Sequence, residues 1–251
     1  MEDPTRPHVI IHLHLPKSGG TSLNAHLARH LEWDREYVNF SEWGNRYRRE
    51  QSLQDWTDRP EADRQAARAL SGHRITTMMH RLLPGREPRY MTIVREPAER
   101  CVSLYNFRRS RGVVGTDFKT WYREEFLADP RNFIVGFYAD KVFGDRAASD
   151  AAENLHVASR LLDRCWLAVD TARLDEALGV VSDALAIPRD WQNQRVAGES
   201  GVLDLPNHPS NGERVEKFVT LDDALRSRVM EDRAEDYALW RHACRRPLPE
   251  A

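Results

Sequence analysis

The chain has 251 residues, and its 37 Lys and Arg against 39 Asp and Glu give a formal net charge of −2 at pH 7. This length suffices for a domain with a sizeable core, and the near-neutral charge argues against a dedicated nucleic-acid binder, which normally carries a strong basic excess. A hydrophobic content of 41% excludes an intrinsically disordered chain.

Two further features of the sequence bear on the cellular compartment of the protein. No apolar run approaches the roughly 18 residues that span a bilayer, and residues 1–7 lack the apolar region of a signal peptide. The cysteines Cys101, Cys165 and Cys244 form no CxxC pair and indicate neither a zinc knuckle nor a disulfide framework. We therefore expect a cytoplasmic protein with no membrane span and no nucleic-acid partner. Its oligomeric state is left open.

The first predicted element is a strand over residues 8–15 (HVIIHLHL), a β-branched apolar run that Pro16 closes. A turn of small residues follows at 17–21. Leucines at four-residue spacing come next and predict a helix that begins near Thr21 or Ser22. The unit is a strand, a glycine-rich loop and a helix.

The rest of the chain alternates between predicted helices and strands. Residues 40–74 are polar, rich in Arg and Trp, and expected to be helical in part. Strands are predicted at 89–95 and 165–169, helices at 98–107, 117–126, 147–162, 174–185 and 221–243, and a loop at 198–212. With no internal repeat or low-complexity linker, we expect one domain over residues 1–251. The alternation predicts an α/β fold, a three-layer sandwich around a mainly parallel central sheet.

Residues 16–22, PKSGGTS, have the composition of an anion-binding loop. Glycines let the backbone approach a phosphate, the N–H groups and dipole of a helix start attract it, and Lys17 adds a mobile positive charge. Only four of the 37 basic residues are lysines, which makes Lys17 conspicuous. The loop is not a Walker A motif, because the lysine precedes the glycines. The alternative is an ordinary strand-to-helix turn.

A second motif, REPAERCVSLY at residues 95–105, begins where a predicted strand ends. Ligands of parallel sheets collect at the carboxyl edge, and Arg95 lies there with Ser103 eight residues later. A guanidinium and a hydroxyl in this arrangement can hold a second phosphate. The alternative is that Arg95 and Arg100 pair with neighbouring glutamates on a solvated helix end.

Together the two motifs resemble those of the sulfotransferase family that uses 3′-phosphoadenosine 5′-phosphosulfate (PAPS), particularly its carbohydrate-type branch. PKSGGTSL at 16–23 is similar to that family's 5′-phosphosulfate loop, and YMTIVREPAERCVSLYNF at 90–107 resembles its 3′-phosphate motif. Ser71-Gly72-His73 resembles the Gly-His step between them. The resemblance is tight over 11–31 and 72–107, loose afterwards, and implies a P-loop NTPase-like sulfotransferase fold.

The resemblance also implies roles for individual residues. Lys17 would contact the 5′-phosphate and the bridging oxygen, while Arg95 and Ser103 would hold the 3′-phosphate. His73 would be the general base, a task that suits an imidazole. The cradle of the 5′-phosphosulfate would consist of Ser18, Gly19, Gly20, Thr21 and Ser22. The donor would be PAPS, the product PAP, and no metal is expected.

The expected reaction is transfer of the sulfuryl group to a hydroxyl, or as second choice an amine, of a glycan, glycolipid or secondary metabolite. The acceptor is thus a small molecule or a glycan. Residues 40–71 are expected to form a helical insertion near the acceptor site. Their aromatic and arginine side chains could bind a sugar, but they are equally consistent with an amphipathic helix that packs its Trp side chains inward. Alternatives to the sulfotransferase are a P-loop-like kinase or nucleotide phosphotransferase, and a non-catalytic nucleotide-binding protein.

Other candidate residues are weaker. His14 and His80 compete with His73 as the base, although structural roles are favoured for both. His12 and His14 form an HxH pair on one strand face that could ligate a metal, but no third ligand has suitable spacing, so a structural role is favoured. Arg195 lies where some relatives of the family place another nucleotide contact.

Overall fold

One parallel sheet lies at the centre of the chain. The computed structural model describes residues 7–40, 53–128, 133–143, 150–191 and 217–249. The strands are β1 His8–Leu13, β2 Tyr37–Phe40, β3 Ala69–Gly72, β4 Glu87–Val94 and β5 Leu167–Asp170. They lie in the order β2-β3-β1-β4-β5, and each pair of neighbours is parallel. The predicted parallel sheet is confirmed.

Helices join the strands. Within the described ranges the α-helices are α1 Gly20–His30, α2 Leu53–Thr57, α3 Glu61–Arg64, α4 Pro97–Ser110, α5 Phe118–Trp121, α6 Ile134–Phe143, α7 Ala151–Arg164, α8 Leu174–Leu185, α9 Asp223–Asp232 and α10 Ala234–Cys244. Short 3₁₀ turns span Met79–Leu82 and Thr171–Arg173, and a π-helical turn spans Tyr122–Phe126. None of these helices has the length and apolar character that crossing a bilayer requires.

The sheet is buried on both faces. Alternate residues of β1 point to opposite sides: Ile11 packs in one core with Tyr138 of α6, whereas Ile10 packs in another with Leu27 of α1 and Leu178 of α8. Both faces are therefore covered by helices, which gives three layers. This is the predicted α/β sandwich, and it explains why β1 is almost continuously apolar.

Residues 69–72 differ from the expectation of a helical insertion over 40–71. They form β3, which pairs with both β1 and β2. With only four residues, the buried strand ALSG is too short to show a distinct alternating pattern in the sequence. Close approach to β2 also requires its last residue to be glycine, because a Cβ on Gly72 would lie 1.9 Å from the carbonyl oxygen of Phe40.

The predicted helix over 221–243 is wrong in one respect, because the structure has two helices there. Arg233, with φ −136° and ψ 43°, separates α9 from α10. The guanidinium of Arg233 lies 3.4 Å from the ring centroid of Phe133, which is a cation–π contact. The helix therefore breaks at a residue that contacts a distant segment, and the local sequence contains no signal that predicts the break.

The topology brings several polar residues to one edge. Leu13 of β1 is in register with Gly72 of β3, so the residues that follow them, His14 and His73, leave the sheet side by side. Arg95 follows β4, the other neighbour of β1, at the same carboxyl edge. From β1 the chain runs first to one side of the sheet and later to the other, which is the switch point where open α/β sheets bind ligands.

Candidate active site

The loop after β1 brings the start of α1 to this switch point. α1 begins at Gly20, and its N-cap residue Gly19 has φ +80°, a conformation that glycine adopts readily. No side chain caps this end of the helix, and its first turn contains no acidic residue. Its amide groups and dipole therefore favour an anion.

Small residues line the loop for steric reasons. A Cβ on Gly20 would lie 2.0 Å from Nε2 of His14, so the helix start packs directly against that imidazole. The Ser18 side chain is buried, and its hydroxyl has no hydrogen-bond partner among the described residues. An unsatisfied buried hydroxyl is unfavourable by about 1–3 kcal/mol, which fits a group that bonds to a polar ligand. Thr21 is exposed and Ser22 half-buried on the first turn.

Lys17 lies in a strongly positive environment. Its ammonium is 4.2 Å from the ring centroid of Phe107. Burial, followed by the charges of Arg95 and Arg111, lowers the pKa of Lys17 from 10.5 to about 8. Lys17 forms no ion pair within the described part of the chain, so no carboxylate neutralises the lysine in this group of cations. Such a gathering attracts an anion.

Ser103 lies on α4, and Arg95 comes two residues before that helix begins. Arg95 directly follows β4, and its Nε donates to Oε2 of Glu99 at 3.2 Å. Ser103 is half-buried one further turn along the helix. For Arg95, the alternative of pairing with a neighbouring glutamate is therefore confirmed, because its guanidinium pairs with Glu99. One N–H engaged in this way leaves the fork of the guanidinium still able to receive a phosphate.

Arg100 does not behave as the sequence suggested. It is not on a solvated end but buried, with 3% of its surface exposed, and its Nε donates to the carbonyl oxygen of Pro16 at 3.1 Å. Arg100 therefore ties α4 to the glycine-rich loop after β1. No local pattern reveals this role, because the loop lies about 80 residues earlier in the chain.

Three histidines stack beside the loop. The ring centroids of His12 and His14 lie 5.0 Å apart, and those of His14 and His73 lie 4.3 Å apart. His73 Nδ1 donates to the carbonyl oxygen of His14 at 2.8 Å. Because a carbonyl can only accept, Nδ1 carries the proton of the neutral imidazole and Nε2 carries the lone pair. His73 thus has the tautomer of a base that acts through Nε2.

Burial lowers the pKa of the two other histidines. Burial, and then the nearby His73, hold the pKa of His14 well below its ordinary value of 6.5. His12 is buried, and its Nδ1 donates to Ser71 Oγ at 2.9 Å, which in turn donates to Asn24 Oδ1 at 2.8 Å. This chain of hydrogen bonds gives His12 the structural role that the sequence favoured.

Lys141, a residue to which the sequence assigned no role, also contacts this group. Its Nζ donates to the carbonyl oxygen of His73. Lys141 also lies 4.5 Å from the ring centroid of Phe137, and its charge contributes to the low pKa of His14. α6 therefore fixes the backbone that carries His73, a contact between residues 68 positions apart.

The burial of His12 predicts an acid-sensitive fold. Burial, with a smaller effect of His73, lowers the pKa of His12 from 6.5 to about 3. The unfolded chain then binds a proton that the native protein does not, so stability falls as the pH decreases from about 6.5 towards 3, by up to about 1.4 kcal/mol per pH unit. We expect the thermal unfolding midpoint to decrease between about pH 7 and pH 5.

Two variants show whether His12 causes this decrease. His12→Asn keeps a donor for Ser71 but cannot be protonated, so its midpoint should depend less on pH. His156→Asn, on an exposed face of α7, should change nothing. An unaltered pH slope in His12→Asn would refute the assignment.

The remaining candidates lie apart or outside the described residues. His80 bonds through Nδ1 to the Tyr90 hydroxyl at 3.1 Å, and no contact joins it to the His14–His73 pair within the described chain. Trp56 is fully buried, as the amphipathic alternative required. Arg195 and the residues 41–52 lie outside the described ranges.

Comparisons with known proteins agree with this architecture. The sequence profile of the Sulfotransferase family matches residues 4–141, more than half of the chain. The fold is similar to the crystal structure of a sulfotransferase from Alicyclobacillus acidocaldarius, with a TM-score of 0.50, 14% identity, and coverage of 96% of this chain and 97% of that one. No curated protein sequence matches significantly. On the family match and the shared fold, the chain belongs to the sulfotransferase family.

Proposed function

We propose that this protein transfers the sulfuryl group of PAPS to a hydroxyl of a small molecule or glycan. The observation that carries the proposal is the position of Lys17. This lysine is partly buried and has no ion pair among the described residues; two arginines lie nearby, and an uncapped helix start follows it. That arrangement is unfavourable unless a polyanion binds, and the family supplies the class of anion.

The phosphosulfate half of the donor fits the loop. The Ser18 hydroxyl is buried without a described partner, and a side chain at Gly20 would collide with His14. Backbone amides at the start of α1 would bind the 5′-phosphate oxygens, with Ser22 and Thr21 beside them. Lys17 would neutralise the bridging oxygen as its bond to sulfur breaks.

The 3′-phosphate fits the second motif. Arg95 would offer guanidinium N–H groups that Glu99 does not engage, and Ser103 would add its hydroxyl from the next turn of α4. Arg100 positions the loop against α4 through Pro16, so the two phosphate sites stay at a set separation. A donor with both phosphates would be held better than one that lacks the 3′-phosphate.

His73 is the proposed base. The acceptor oxygen would form a bond to sulfur while the bond from sulfur to the phosphate oxygen breaks, and PAP would leave with both electrons of that bond. The acceptor proton would move to Nε2 of His73, whose Nδ1 proton is fixed by the carbonyl of His14. Positioning and charge neutralisation would supply most of the acceleration, as in phosphoryl transfer.

Nucleotide selectivity tests the proposal. We expect PAP to raise the thermal unfolding midpoint of the protein clearly more than 5′-AMP does, because only PAP carries the 3′-phosphate. Arg95→Met should remove most of this difference while leaving the response to 5′-AMP intact. Stabilisation by ATP–Mg²⁺ alone would instead support the kinase, and no transfer from labelled PAPS to any acceptor would support the non-catalytic alternative.

The chain offers a matched control for Arg95. Arg228 also pairs with a carboxylate four residues later, at 2.8 Å from Asp232, but lies on exposed α9. Arg228→Met should therefore leave the preference for PAP unchanged. An equal loss in both variants would mean that the Arg95 effect is one of general charge.

A further inference from the structure

A second group of polar side chains lies towards the other end of α1. His26 and His30 are four residues apart and so share one face of the helix. Asp190 approaches them from the segment after α8, 160 residues later than His30 in the sequence. His30 Nε2 lies 2.8 Å from Asp190 Oδ1, and His26 Nδ1 lies 3.8 Å from the same oxygen.

His26 is the unusual member of this group. Its side chain is fully buried, yet Nδ1 has no hydrogen-bond partner among the described residues. The other ring nitrogen, Nε2, bonds to the Ser182 hydroxyl of α8 at 2.8 Å. If Nε2 donates this bond, Nδ1 presents a bare lone pair to Asp190, in the way that an outer hydrogen bond orients a metal-binding histidine.

We propose that His26, His30 and Asp190 form a binding site for a divalent transition metal such as zinc. The donors are two imidazole nitrogens and one carboxylate oxygen, all within 4.8 Å of one another. Ligands of a tetrahedral zinc ion at about 2.1 Å lie about 3.4 Å apart. The observed separations of 2.8 and 3.8 Å lie on either side of that value.

The surroundings suit such an ion. The Trp191 ring packs edge-on against His26, with centroids 5.5 Å apart, and covers the group from one side. Arg29 lies 4.0 Å from Oδ2 of Asp190, so the other oxygen, Oδ1, is the one that faces the histidines. Water would supply the fourth ligand, as zinc sites with three protein ligands allow.

The role of the ion would be structural and separate from sulfuryl transfer. His26 is six residues after Gly20, about 9 Å along the helix from the anion-binding end of α1. The ion would join α1 to the segment after α8. It would also replace the direct His30–Asp190 hydrogen bond by two coordinate bonds.

Cobalt titration of the metal-stripped, untagged protein tests the site. Co²⁺ should bind one equivalent and give the intense visible bands of tetrahedral coordination, and Zn²⁺ should displace it while Mg²⁺ should not. His30→Ala and Asp190→Asn should each weaken binding by at least about 100-fold, since each removes a ligand. Neither side chain is fully buried, with 13% of His30 and 36% of Asp190 exposed, so both variants are expected to fold.

Two further variants separate the site from unspecific binding. His242 forms a similar pair with Asp163, at 2.8 Å, without a second histidine in the described group; His242→Ala should leave binding unchanged. Ser182→Ala should weaken binding by about 10–100-fold through His26 alone. Absence of the tetrahedral spectrum, or unchanged affinity in His30→Ala, would mean that His30 and Asp190 form only a hydrogen bond and would overturn the proposal.

Discussion

Replacing His73 by alanine should reduce turnover by about 10²–10⁴-fold, the usual contribution of a positioned general base. The affinity for PAP should change little, because the proposed role of His73 is to take a proton from the acceptor. His73→Asn is the sharper variant. Its amide can keep the bond to the His14 carbonyl, but nothing remains at the position of Nε2. It should be as inactive as His73→Ala while retaining the native unfolding midpoint.

His80→Ala is the matched control for this prediction. His80 is also partly buried and hydrogen-bonded, but to Tyr90, and so should keep nearly full turnover. Initial rates with labelled PAPS, together with PAP affinity, test whether His73 is the base. Full activity in His73→Asn would move the base to another group, and lost PAP affinity would mean that His73 shapes the donor site.

Lys17→Met should reduce transfer by about 10²–10³-fold, comparable to the removal of one group that stabilises developing charge. It should also raise the thermal midpoint of the nucleotide-free protein. The pKa of Lys17 is about 8 because burial and two arginines oppose its charge, so the neutral methionine removes an unfavourable charge from the folded state. Activity and stability thus change in opposite directions, as at many functional sites.

The pH dependence gives an independent measurement. In the nucleotide-free protein Lys17 is mostly charged below pH 8 and loses its proton above it. PAP affinity should therefore weaken as the pH rises through about 8, and Lys17→Met should lack this step. Lys119→Met, on the short helix α5, should retain it. A step that persists in Lys17→Met would mean that another group titrates.

Much of the fold and of the proposed donor site follows from local sequence. β1 and β4 were predictable because apolar β-branched runs end at a proline or a charged residue. The loop was predictable because small residues and glycines separate an apolar run from leucines at helical spacing. β3 was not predictable, because four residues are too few to show a periodicity. The break at Arg233 was not predictable either, because the contact of Arg233 is with Phe133 in another segment.

What the sequence by itself determined is therefore local: an α/β chain, a glycine-rich loop with Lys17 between a strand and a helix, and a second motif at Arg95. These depend on residues that are neighbours along the chain. Only the tertiary structure decided that Arg100 is buried on the loop, that Lys141 holds the His73 carbonyl, and that Asp190 meets His26 and His30. Each of these contacts joins residues at least 68 positions apart. Because tertiary packing brings these residues together, no local sequence pattern predicts the contacts.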